Sequence, residues 1–256
     1  MDLSLIIPVF NEESRLEESL KKIIEYNRKL NAELIFVDDG STDGTLAILE
    51  EYKKSKMLRV VRVWPNRGKG NAVRSGVLAS HGNHILFMDA DLATPLDEIP
   101  RILALAAESD IVIGSRNLRH NNVHRKFIRL IAGKLFDLFK KIIIPLPVSD
   151  SQCGFKIFTR EAAFALFPKS KIERWSFDAE ILYLASKLGF SIRELPVRWE
   201  EKEGSRVKLL RDAVLMTKDL IRIRYYDLLG NYNLNLQRLN LQLETERTNE
   251  KREDRN

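Results

Sequence analysis

Ile85-Leu86-Phe87-Met88-Asp89-Ala90-Asp91 decides how this chain is read. Four apolar residues in a row imply a strand buried on both faces, and two carboxylates one residue apart follow where it ends. In an open α/β sheet ligands bind beyond the carboxyl ends of the strands, so Asp89 and Asp91 stand where a substrate is held. Extended backbone sends residues i and i+2 to one side, which turns both carboxylates toward a single cation. Paired hard oxygen ligands suit Mg²⁺ or Mn²⁺ shared with a diphosphate, because these ions keep positions open for phosphate oxygens. Thr94-Pro95-Leu96-Asp97 follows at once with the form of a capping box and Pro at the first helical position, which puts the pair on a short strand-to-helix loop.

Working outward, the chain alternates between strand and helix. Residues 3–8 read as a buried strand, and Asn11 is placed to cap a helix in which Leu16, Leu20, Ile23 and Ile24 recur at helical spacing. Residues 34–37 form the second strand, followed by Asp38-Asp39-Gly40-Ser41-Thr42-Asp43-Gly44 and a helix through Leu46, Ile48 and Leu49. Residues 58–63 form the third, before a Gly68-Lys69-Gly70 loop and a helix over about 72–80, and residues 110–113 form the fifth. Later, residues 177–188 read as a helix with Gly189 just past its end, 191–197 as a strand, and 124–141 and 207–229 as basic amphipathic helices. Repeated strand-helix units of this length predict an α/β fold, a Rossmann-like, mostly parallel sheet with helices on both faces. One domain over residues 1–230 is expected, with 231–256 a polar tail.

Composition narrows the possibilities. With 256 residues and 44% hydrophobic content the chain can bury one sizeable core. Its single cysteine, Cys153, excludes an internal disulfide framework and suits a reducing, cytoplasmic compartment. The apolar opening stretch is too short for a signal peptide, and no run approaches a membrane span. The net charge of +6 and pI near 9.3 point to an anionic partner, either a nucleotide, a membrane surface or nucleic acid. The acidic pair argues against nucleic acid, since two carboxylates repel phosphate unless a metal lies between.

Seven motifs then resemble, in order and spacing, the inverting family 2 glycosyltransferases. They are Pro8-Val-Phe-Asn-Glu12, Val37-Asp-Asp-Gly-Ser-x-Asp43, Asn66-x-Gly-Lys-Gly70, Asp89-Ala-Asp91, Gly114-Ser-Arg116, Asp150-Ser-Gln-Cys-Gly-Phe-Lys-Ile-Phe158 and Trp199-x-x-x-x-Gly204-Ser-Arg206. The last two resemble the polyprenyl-phosphate branch, and more its dolichyl-phosphate β-glucosyltransferases than its mannosyl enzymes. The resemblance covers about residues 3–229 and implies a glycosyltransferase-A-like fold. It also implies a nucleotide-sugar donor, UDP-glucose, a polyprenyl phosphate acceptor, inversion, and Mg²⁺ or Mn²⁺ on Asp89 and Asp91. Transfer from GDP-mannose, or a soluble transferase with another acceptor, stands as the alternative.

The resemblance distributes roles over the motifs. Pro8, Phe10, Glu12 and Val37 line the nucleoside site, and Asp39 accepts a bond from the pyrimidine. Asp89, Ala90 and Asp91 meet the diphosphate, and Arg206 closes over it from a Gly-Ser hinge. Asp150 is the acid near the acceptor, acting by orientation or by proton transfer. On the residues themselves, Lys69 at a helix start and Arg116 after a strand are placed to neutralise phosphate, with a solvated turn and a surface salt bridge as the respective alternatives. Asp43 reads as a helix cap, and Gly68-Lys69-Gly70 lacks the Walker spacing of a P-loop. Cys153 reads as a packed thiol. Residues 124–141 carry six Lys or Arg against one acid among Phe, Leu and Ile, the pattern of a helix lying in an anionic membrane interface. The expected location is peripheral, on the cytoplasmic face of a membrane, with a membrane-protein partner or a second copy as further candidates to hold it there.

Overall fold

The computed structural model describes residues 2–55, 57–116, 143–200, 209–232 and 234. In chain order these form β1 (Leu3–Val9), α1 (Glu13–Leu30), β2 (Glu33–Asp38), α2 (Thr45–Lys54), β3 (Arg59–Arg62), α3 (Lys69–Leu78) and β4 (His84–Met88). Then follow α4 (Ile99–Ala106), β5 (Ile111–Ser115), β6 (Phe155–Thr159), α5 (Arg160–Leu166), α6 (Phe177–Lys187), β7 (Ile192–Pro196) and α7 (Leu209–Leu228). The predicted α/β architecture is the observed one. Seven strands lie in the order β3-β2-β1-β4-β6-β5-β7, parallel except for β6, which runs antiparallel to both β4 and β5.

Period-2 alternation along the central strands divides the core in two. Ile6, Ile35, Val37, Ile85 and Phe87 face α3, α5, α6 and α7, whereas Leu5, Ile7, Leu34, Phe36 and Leu86 face α1, α2 and α4. Each such side chain, fully removed from water, contributes roughly 1.5–3 kcal/mol. Because β2 and β3 lie on one side of β1 and β4 on the other, the strand order reverses between β1 and β4, and a ligand crevice opens at their carboxyl ends. The antiparallel β6 begins at that same edge, with Phe155 opposite Met88, and so delivers residues 150–154 beside Asp89.

Several local expectations are corrected. No element was expected over β6 and α5. The apolar run Phe155-Lys156-Ile157-Phe158 is short and carries a lysine, yet it forms a strand buried throughout its first four positions. The capping box at Thr94 does not form: a 3-10 turn over Leu96–Glu98 precedes α4, with Pro95 at its cap and no side-chain bond. Asp97 and Glu98 instead bind Arg198, beyond β7. Asn11 does not cap α1, because its Oδ1 accepts the Thr42 amide at 2.7 Å. Residues beyond 230 are not wholly tail, since Tyr232 is buried and its hydroxyl donates to Glu180 Oε1 at 2.8 Å. The expected helix at 124–141 lies outside the described residues. That at 207–229 is α7.

Candidate active site

Three loops on the donor side of the crevice are stitched together by side-chain to backbone bonds. The Asn11 amide donates to Ser41 Oγ at 2.9 Å and the Glu12 amide to Thr45 Oγ1 at 2.7 Å, joining the segments after β1 and β2. Asp43, the expected helix cap, sits one residue before the N-cap position of α2, which Gly44 holds; its Oδ1 accepts the Thr45 amide at 3.0 Å and its Oδ2 the Glu13 amide at 3.3 Å. Asp38 accepts the Ser41 amide at 3.2 Å, which orients its own loop. Asp39 reaches across to the next loop and accepts bonds from Asn66 Nδ2 at 2.7 Å, the Arg67 amide at 3.0 Å and the Gly68 amide at 2.7 Å. Burial pushes the Asp39 carboxyl up despite these donors. A carboxylate has about four lone-pair positions, so one acceptor site remains after the three loop bonds. Gly68 has φ +112, and a Cβ there would stand 2.7 Å from the Glu173 carbonyl, so glycine is required where the loop turns into α3.

Pro8 and Val37 sit at the carboxyl ends of β1 and β2, opposite each other in register. Phe10 follows, half-buried at the mouth of the crevice. Glu12 does not point out as a free acceptor: its carboxylate is held by Arg15, with Nη2 to Oε1 at 2.9 Å. Arg15, which sequence reasoning passed over as a helix residue, also carries its charge to Asp91 and Asp89.

Asp89 and Asp91 lie just past β4 in a turn closed by the Leu92 amide on the Asp89 carbonyl at 3.4 Å, with Ala90 between them buried. They are therefore brought together by the turn and not by extended alternation along the strand. Asp89 binds the Lys69 ammonium and packs against Gly154, where a Cβ would sit 2.0 Å from Asp89 Oδ2. Asp91 Oδ1 accepts the Ala93 amide at 3.0 Å. Burial, and beyond it the charge of Asp89, push the Asp91 carboxyl up, while the Ala93 amide opposes them. Among the described residues no group of three or more His, Cys, Asp or Glu forms a complete metal cage. Two hard carboxylates side by side, one with an ammonium drawn onto it, nevertheless fit a divalent ion that takes its other ligands from phosphate.

Across the crevice, the structure joins two residues that the sequence had singled out separately. Arg116 grips Asp150 through its amide at 3.0 Å, Nε at 2.7 Å and Nη2 at 2.8 Å. Burial alone would raise the Asp150 carboxyl, but the guanidinium overrides it and holds the group at about 2. The Arg116 side chain keeps 26% exposure against 4% for Asp150, so the cation faces the crevice and the carboxylate stands behind it. Trp199 lies 5.5 Å from the guanidinium, and Glu194 accepts the Ser149 and Asp150 amides at 3.0 and 3.1 Å. Cys153 is buried and its thiol is pushed up to about 11, an inert packed group as expected. Arg206 lies outside the described residues.

Behind the site, the Lys156 Nζ lies 2.5 Å from Asp178 Oδ1, both side chains buried. Sequence reasoning missed Arg15, Glu194, Asp178 and this role of Lys156. The lysine alone had a visible signal, a charge inside an otherwise apolar strand.

The glycosyl transferase family 2 model matches residues 4–170. A dolichyl-phosphate β-glucosyltransferase of Dictyostelium discoideum is 38% identical over 91% of this chain and 76% of its own length. The enzyme of that name from Homo sapiens is 35% identical over 91% of this chain and 78% of its own length. In fold the chain is similar to Mycobacterium tuberculosis glucosyl-3-phosphoglycerate synthase crystallised with Mn²⁺, UDP-glucose and phosphoglyceric acid. The TM-score is 0.61 with 20% identity, over 91% of this chain and 80% of that one. With its motifs carried on the strand ends of one crevice and this similarity running through most of its length, the chain is a glycosyltransferase and belongs to glycosyl transferase family 2, in the branch of the dolichyl-phosphate β-glucosyltransferases.

Proposed function

We propose that the chain transfers glucose from UDP-glucose to a polyprenyl phosphate of the dolichyl type, with inversion at the anomeric carbon. One observation carries the choice of acceptor class: Asp150, the acid that the motifs put beside the acceptor, is held at about 2 by Arg116. A carboxylate so weakly basic cannot take up a hydroxyl proton efficiently. An acceptor phosphate needs no such base, since its second pKa of about 6 leaves it largely ionised at neutral pH. The names of the relatives agree with that acceptor and with glucose as the sugar.

In this reading Pro8, Phe10, Glu12 and Val37 line the nucleoside site. Asp39 spends its remaining acceptor position on the pyrimidine N–H, so Asp39→Ala weakens UDP binding in calorimetry by roughly 1–3 kcal/mol, the cost of an unpaired buried partner. Asp89 and Asp91 would hold Mg²⁺ or Mn²⁺, which would supply charge neutralisation for the leaving nucleotide. Lys69 adds a cation on the same side, with Arg206 proposed to join it. Arg116 meets the incoming lipid phosphate, and Asp150 fixes the direction of its guanidinium. Rate then comes mainly from placing an ionised oxygen opposite the leaving diphosphate.

No helix among the described residues is long and apolar enough to cross a membrane. We infer peripheral docking on a cytoplasmic membrane surface. Support comes from α7, where Val214, Ile221, Tyr225 and Leu228 are exposed at positions that recur along one side, with Lys218 and Arg222 nearby.

The experiment offers radiolabelled UDP-glucose, GDP-mannose and UDP-N-acetylglucosamine separately with dolichyl and undecaprenyl phosphates. Label from UDP-glucose alone should enter the organic phase, and the protein should sediment with anionic liposomes. Equal or greater labelling from GDP-mannose contradicts the donor assignment.

A further inference from the structure

Beneath the carboxylate pair, charges alternate in sign into the core. Asp89 takes the Lys69 ammonium, and Asp178 stands near enough for its charge to favour that ammonium as well. Asp178 Oδ1 in turn lies 2.5 Å from Lys156 Nζ. Lys156 and Asp178 are 1% and 4% exposed, so neither touches a substrate. Lys156 is fixed in place: its Nζ donates to the Cys153 carbonyl at 2.5 Å and lies 5.3 Å from the centre of the Phe87 ring. Asp178 sits in the first turn of α6, where the helix dipole favours an anion. A buried ion pair is seldom more stabilising than an apolar pair of the same volume, so stability alone does not account for this one.

The ammonium of Lys69 lies on a carboxylate that a metal needs. A divalent ion arriving at Asp89 competes with it, and two cations sharing one carboxylate repel each other strongly at a few ångströms. The next carboxylate toward the core is Asp178. We propose that Lys69 is a resident stand-in for the metal at Asp89, and that Asp178, fixed by Lys156, is a positioning residue that receives Lys69 when the metal binds. Lys69, Asp89, Lys156 and Asp178 are then partnered in both states, and Asp91 is satisfied when the ion arrives. Without metal the pairs are Lys69 with Asp89 and Lys156 with Asp178; with metal, Asp178 stands between the two lysines while Asp89 and Asp91 hold the ion. The proposal rests on the reading that Asp89 and Asp91 are the metal ligands.

Mn²⁺ titration of the nucleotide-free protein, followed by electron paramagnetic resonance of the free ion, reads this without any turnover. Lys69→Gln removes the competitor and should tighten Mn²⁺ binding at least about fivefold, the scale of a contact coupling of about 1 kcal/mol. Lys156→Met with Asp178→Asn removes both buried charges together and keeps the interior neutral. It should weaken Mn²⁺ binding at least about threefold, because Lys69 is left with only the metal-binding carboxylates to turn to. In the Lys69→Gln background the same pair of changes should have no effect on Mn²⁺, since the pair acts through Lys69; a packing role would shift the unfolding midpoint and leave Mn²⁺ affinity alone.

Lys69 is partly accessible, so Lys69→Gln decides the matter even if the double variant fails to fold. Unchanged Mn²⁺ affinity in Lys69→Gln overturns the stand-in, and an effect of the pair that persists in that background overturns the positioning role. Absence of Mn²⁺ binding to the wild-type protein, with UDP present as well as without it, overturns the metal reading and this proposal with it.

Discussion

Asp150 and Asp91 stand at the same edge of the sheet under opposite electrostatics. Asp150 takes three bonds from Arg116 and one from the Gln152 amide, and is held at about 2. Asp91 takes the Ala93 amide beside the like charge of Asp89, and its carboxyl is pushed up. The first is neutralised from within the chain and serves to aim a guanidinium. The second is left with charge for a ligand to satisfy. One crevice thus has a side completed by its own side chains and a side completed by what binds.

The sharpest way to break this contrast is to remove the internal partner. Arg116→Ala leaves Asp150 buried without its counter-charge and should destabilise the fold by about 3–5 kcal/mol in urea denaturation. Adding Asp150→Asn should restore most of that, because the uncompensated charge then disappears. A single variant as stable as wild type would mean that the pair is no more than a surface contact.

Removing Asp91 should do the reverse. Asp91→Asn relieves repulsion with Asp89, so the urea midpoint should hold or rise. Turnover should nevertheless fall at least about a hundredfold, the scale of losing a group that stabilises transition-state charge. EDTA should reproduce the loss reversibly. Full activity in EDTA would remove the metal from Asp89 and Asp91.

Acid sharpens the comparison with a smaller effect. Asp150 has a folded pKa depressed to about 2 from the ordinary aspartate value of about 3.9, so its contribution is fully present above about 4 and is lost as pH falls from there through about 2. The size is about 2 kcal/mol. Asp150→Asn should flatten that part of the stability curve, leaving the share of Glu33, which is also held at about 2. Asp91→Asn should not flatten it, because the shift at Asp91 has the opposite sign.

How much of this could be read in the sequence depended on distance along the chain. The central strands were legible because their apolar runs are unbroken, and Asp89 and Asp91 because the carboxylates abut such a run. Arg116 and Asp150 were each visible in a motif, but their embrace was not, since it depends on the antiparallel β6 bringing residue 150 back beside β5. Lys156 disguised that strand by interrupting it with a charge whose partner, Asp178, is 22 residues away. Asn11 and Thr94 misled for a related reason. Each has the sequence form of a local cap, but Asn11 bonds across to another loop, and the helix beyond Thr94 starts only at Ile99, after a 3-10 turn over Leu96–Glu98 has intervened.

The central claim, that the acceptor arrives ionised and that Asp150 orients instead of accepting a proton, is tested most directly by the pH dependence of kcat/KM for polyprenyl phosphate in the wild type and in Asp150→Asn. Both profiles should show one acid limb near pH 6, set by the second ionisation of the acceptor phosphate, with the variant displaced downward at every pH. Loss of that limb in Asp150→Asn would make Asp150 a general base and contradict the account.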